Sequence, residues 1–84
     1  MRLNKLVIDV LIPHKPELLT YAEKLCEIDS VETVKIHVDE VDDRTKTVEL
    51  TIEGRNLSLE GISATIEGLG GSIHSIDEIT ASSS

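Results

Sequence analysis

Four carboxylates and two imidazoles are the side chains of this sequence whose types and placement could do chemistry together: Asp9, Glu49, Asp77 and Glu78, with His14 and His74. Close carboxylates repel one another unless a cation or a retained proton relieves them. Oxygen-only ligands suit hard divalent ions such as Ca²⁺ or Mg²⁺. Adding His14 and His74 would turn the set toward zinc. Consecutive Asp77-Glu78 in a regular strand sends one carboxylate to each face, so one of the two is expected beside Asp9 and Glu49. Lys5 and Lys35 compete for the same groups and would leave a paired surface instead. His14 closes the first strand and His74 opens the last. These strands are expected to be antiparallel neighbours, which puts both imidazoles at one end of the sheet, with Glu32 or Glu53 expected beside them. Each could equally hold a loop or stand at an edge, and His37 is assigned no role. Asp39-Glu40-Val41-Asp42-Asp43 fails the calcium-loop pattern, because its third position is Val41, its sixth is not glycine and its twelfth is not glutamate. It reads as a charged hairpin tip. Cys26 is expected in the apolar stripe of a helix, as a buried structural thiol.

The elements that must position these groups follow from the order of the periodicities. Leu6, Ile8, Val10 and Ile12 alternate with Lys5, Val7, Asp9 and Leu11, which predicts a strand over 3–12. Pro16 suits the first turn of a helix running to about Asp29, with Leu18, Ala22, Leu25 and Cys26 inward. A second strand starts near Val31. Asp42-Asp43-Arg44-Thr45 turns it into a third, where Val48, Leu50 and Ile52 alternate with Thr47, Glu49, Thr51 and Glu53. After Gly54-Arg55-Asn56, Ser58 caps a second helix with Leu59, Ile62, Ile66 and Leu69 inward. Gly70 and Gly71 stop it, one of them left-handed. The last strand covers 72–80, and residues 81–84 are expected to be a flexible tail of the single 1–80 domain. The order β-α-β-β-α-β predicts an α+β, ferredoxin-like fold. Its four-stranded antiparallel sheet, in the order four-one-three-two, carries two helices on one face. Val7 and Leu11 then lie on the open face. Ile73, Ile76 and Ile79 split between faces unless a bulge intervenes. Such apolar surface predicts a partner, most simply a second copy.

Composition narrows the function classes. The 84 residues carry sixteen Asp and Glu against eight Lys and Arg, a net charge of −8. That charge repels nucleic acid and anionic membranes. The single cysteine allows no internal disulfide, which fits a reducing cytoplasm. The apolar run from Leu6 to Ile12 is broken by Asp9 and ended by Pro13, so it is neither a signal segment nor a span. No Cys-x-x-Cys follows the first strand, as a metallochaperone of this fold requires. No aromatics stand on the central strands, as an RNA-binding sheet requires. No Gly-x-Ser-x-Gly, Walker A or His-x-x-x-His pattern occurs. The chain is therefore expected not to be an enzyme.

Three stretches carry a family resemblance: Leu6-Val7-Ile8-Asp9-Val10-Leu11 with Pro13-His14-Lys15-Pro16; Val48-Glu49-Leu50-Thr51-Ile52-Glu53-Gly54; and Leu69-Gly70-Gly71-Ser72-Ile73-His74-Ser75-Ile76-Asp77-Glu78-Ile79. Together the chain resembles an archaeal family of uncharacterised proteins, the domain of unknown function family 211. The resemblance implies a ferredoxin-like domain that assembles into homo-oligomers in an archaeal cytoplasm, with Asp9, His14, His74 and Asp77 as its marked positions. It implies no activity. The expected function is a self-assembling, non-enzymatic domain that binds a divalent cation through open-face or interface carboxylates. The alternatives are a small-molecule-sensing regulatory domain with ligand sites between subunits, and an enzyme using His14, His74 and Asp77 for acid–base chemistry.

Overall fold

Alternation in the first strand is strict, and burial follows it. The computed structural model describes residues 1–83. Its elements are β1 (Arg2–Pro13), α1 (Leu18–Cys26), β2 (Val31–Val41), β3 (Thr45–Gly54), α2 (Leu59–Gly68) and β4 (Ser72–Ser82). They form one antiparallel sheet in the order β2-β3-β1-β4. This is the ferredoxin-like α+β plan that the periodicities predict. Leu6, Ile8 and Val10 on β1 and Val48, Leu50 and Ile52 on β3 are at most 1% exposed and meet Leu25, Ile62 and Ile66 of the helices.

The first helix differs from expectation in phase and length. Its buried stripe is Leu18, Tyr21 and Leu25, continued beyond the helix by Ile28, not one centred on Ala22 and Cys26. Tyr21 belongs to the core because its hydroxyl donates to the Leu69 carbonyl at 2.9 Å, so a polar tip is satisfied as the ring is buried. That phase turns Cys26 outward: the thiol is exposed, not buried. It also leaves Leu19 exposed. The helix begins two residues after Pro16, with Glu17 as its N-cap. It ends at Cys26, before Asp29, where Ile28 N–H reaches back only three residues to Leu25 O. The second helix follows expectation. Ser58 Oγ accepts from Gly61 N–H at 3.0 Å, and Gly70, at φ +95°, stops the helix in the left-handed region.

Strand β4 is the main departure. Its register against β1 slips after Glu78 and again after Ser75, leaving Asp77 and His74 as bulged residues. Each bulge adds one residue to β4 and resets its parity. Ile73, Ile76 and Ile79 therefore pair with Val10, Ile8 and Leu6, all on the helix side, so the three isoleucines do not split between faces. The strand also runs through Ala81 and Ser82, which pair with Leu3 and Arg2, and Asn4 Nδ2 donates to Ser82 Oγ at 3.1 Å. Of the tail expected over residues 81–84, Ser84 lies outside the described residues. No helix among them is long and apolar enough to cross a membrane.

Candidate functional site

The open face is a lattice of rows, because each pair of neighbouring strands fixes which side chains stand opposite. One row crosses all four strands: His37 on β2, Glu49 on β3, Asp9 on β1 and Ser75 on β4. Asp9 and Glu49 are thus directly opposed. Like charges so placed are destabilising. Both are half-buried, and neither carboxylate has an ion-pair or side-chain hydrogen-bond partner among the described residues. The bulge at His74 adds an imidazole to the end of this row. Asp9, Leu11, Thr47 and His74 together line an open depression of about 260 Å³. Asp9 and His74, singled out in the sequence, are therefore brought together.

The remaining expected residues are engaged elsewhere. Glu78 Oε2 pairs with Lys5 Nζ at 3.1 Å, as the competing reading of these carboxylates anticipated. Asp77 Oδ1 accepts from Ser75 Oγ at 2.7 Å. Ser75 stands opposite Asp9 and Glu78 opposite Val7, both on the open face. The expectation that Asp77 and Glu78 divide between faces is therefore corrected: the bulge sends both to one side. Among the described residues no three of His, Cys, Asp and Glu stand close enough to hold a metal ion.

His14 has a structural task. Its Nε2 donates to the carbonyls of Asp42 at 2.8 Å and Asp43 at 3.1 Å, while Nδ1 accepts from Lys46 Nζ at 2.9 Å. These partners require the neutral ring with its proton on Nε2. The loop after β1 thereby grips the β2–β3 hairpin tip, where Asp42 N–H also donates to Thr45 O at 2.8 Å. His14 does not line the depression. Nor do Glu32 and Glu53 stand at the end occupied by His14 and His74. Glu53 pairs with Lys5 and Thr33 at the far end, and Glu32 meets Arg55 Nε at 3.2 Å. The expected zinc-like grouping is thus dispersed. His14→Ala removes both bonds to the tip. Amide hydrogen exchange at Asp42–Thr45 should quicken about tenfold, with the β1–β4 amides unchanged. Equal quickening throughout the sheet would show that His14 supports the whole fold instead.

The three stretches quoted above now have a structural frame: β1 with its corner, β3, and the bulged β4. Residues 4–84 match the family model described as uncharacterized ArCR, the domain of unknown function family 211. The chain belongs to family 211. An uncharacterized protein of Methanocaldococcus jannaschii is 44% identical over 79 residues, which cover 94% of this chain and 81% of that protein. In this family 211 domain, Asp9 and His74 meet at the depression, Asp77 stands nearby on the same face, and His14 serves the hairpin.

Proposed function

We propose that this family 211 domain is a non-catalytic module that assembles with copies of itself along the β4 margin of its sheet. The observation that carries this reading is the state of the edge strand. Ile76 and Ile79 point to the helix side, yet 42% and 57% of their surface stays exposed, because the helices do not reach them. They lie on an eleven-residue strand with one free edge. A second copy supplies matching isoleucines and a matching edge about a two-fold axis. The hydrogen bonds of His14 to the hairpin and of Asp77 to Ser75 support the non-catalytic reading over the acid–base alternative. Any divalent ion, Ca²⁺ or Mg²⁺, would need carboxylates from more than one copy, because no three ligating side chains of one copy converge among the described residues.

Light-scattering mass after gel filtration tests this, in chelator and again with Ca²⁺, Mg²⁺ and Zn²⁺. The expected result is a defined oligomer that Ile79→Asp reduces to the mass of a single chain. A wild-type mass equal to one chain in every condition would end the assembly reading. An oligomer indifferent to every cation would end only the metal bridge. A second reading, a small-molecule-sensing domain, is favoured by the depression at Asp9 and His74, which exists within one copy.

A further inference from the structure

We infer that the depression lined by Asp9, Leu11, Thr47 and His74 takes a small organic ammonium: a protonated amine on a short aliphatic stem. This rests on the second reading above, that the depression is a binding site, and adds the chemical class of the ligand.

Charge decides the first part. Two half-buried carboxylates, Asp9 and Glu49, face each other with no cation between them or beside them among the described residues. The chain carries a net −8, so an anionic ligand meets repulsion both locally and at long range. A positive charge held against Asp9 in the depression offsets the repulsion from Glu49 on the neighbouring strand and gains a charge-assisted hydrogen bond to the Asp9 carboxylate.

Geometry decides the second part. A metal ion needs three or more converging ligands, and no such group exists among the described residues. An ammonium carries three donors on one nitrogen, and a neutral hydroxyl or ring nitrogen can accept from it as a carboxylate does. The lining supplies three acceptors of these kinds: the Asp9 carboxylate, the Thr47 hydroxyl and the His74 ring. Leu11, 42% exposed on the floor, takes an aliphatic stem rather than water. The volume, about 260 Å³, lies below the roughly 300–1,000 Å³ usual for drug-sized ligands. That limits the guest to a small molecule.

The bulge accounts for the one residue that simple alternation would misplace. Without the extra residue at His74, strand parity would send the imidazole to the side opposite Ser75. The irregularity instead aims it into the depression, as bulges next to binding sites do.

The test is titration of the isotope-labelled protein at neutral pH with n-butylamine, n-butanol and sodium butyrate, and separately with CaCl₂, followed by amide shifts. The amine should shift Asp9, Leu11, Thr47 and His74 with millimolar affinity, while butanol and butyrate leave them in place. Asp9→Asn should weaken the amine by about tenfold or more, and Glu49→Gln, which removes a neighbouring charge outside the lining, should weaken it less. Both remove a repulsion and should fold normally. Butanol matching the amine would overturn the ammonium and leave an apolar dimple. Butyrate or Ca²⁺ shifting these residues while the amine does not would also overturn it, keeping a binding site of another class. No response to any of the four would overturn the ammonium and the binding-site reading together.

Discussion

Gly54→Ala should lower the stability of the fold by about 3 kcal/mol, the upper end of what overpacking costs. Gly54 ends β3 opposite Val31, at the start of β2. A Cβ added there falls on the backbone carbonyl oxygen of Ser30 and 2.9 Å from Leu57 Cδ2. The carbonyl cannot swing away, because it accepts from Arg55 N–H at 2.9 Å and so ties the two strands together. Leu57 is itself buried. Relief therefore requires β2 to separate from β3 at its first residue. A domain of this size has a total stability on the order of 4–13 kcal/mol. The loss should lower the melting temperature by roughly 12–24 °C, measured by far-ultraviolet circular dichroism. Gly68→Ala is the control of opposite sign. Nothing lies within 4 Å of its added Cβ at the end of α2, so it should stabilise by about 0.5–1 kcal/mol. Equal melting temperatures for the two variants would mean that the start of β2 adapts freely.

Tyr21→Ala should be as damaging or more so, at about 3–5 kcal/mol. Tyr21 is the largest of the fully buried side chains and joins α1 to the end of α2 through the Leu69 carbonyl. Tyr21→Phe keeps the ring and leaves that carbonyl without its donor, at about 1 kcal/mol. The same burial pushes the phenol's pKa above its ordinary value. The unfolded chain therefore releases this proton at lower pH than the folded one. Its contribution to stability is whole below about pH 10 and is lost as pH rises through the folded-state value. Tyr21 is the single aromatic residue of the chain, so the tyrosinate absorbance band reports this one group. The band should appear at higher pH in the folded protein than in denaturant. The alkaline fall in melting temperature should flatten in Tyr21→Phe. Coincident titrations in the two states would contradict the burial argument.

Which features could be read in advance depended on whether local spacing carried them. Strand β1 was legible because Leu6, Ile8, Val10 and Ile12 hold one parity along the side facing the helices. Strand β3 was legible for the same reason. The presence of β4 was legible but the facing of its side chains was not, because two extra residues turn its apolar spacing from two into three, and period counting cannot place a bulge. Tyr21 was missed because hydropathy ranks a tyrosine below a cysteine, while its partner, Leu69 O, lies 48 positions away. The task of His14 was hidden for a related reason. Backbone carbonyls of a turn 28 residues distant leave no mark in residue type. Glu53 departs from its expected end for a different reason. The hairpin at Asp42–Thr45 already requires β3 to start beside the end of β1, so Glu53 had to lie at the opposite end. The meeting of Asp9 with Glu49 follows from that same hairpin once the register is counted.

The two bulges of β4 also bear on how far any assembly can grow. A long, regular edge presents an unbroken ladder to the next molecule, and each added copy offers the same ladder again. Here the ladder is interrupted at His74 and at Asp77, only three residues apart, and bulges bend and twist the strand that carries them. An incoming strand finds short runs of pairing groups divided by breaks, with Asp77 and Glu78 adding negative charge beside them. In the assembly proposed above, such a margin would favour a partner whose own irregularities match it over indefinite stacking. For the proposed assembly, growth that stops at a closed set of copies is the expected consequence.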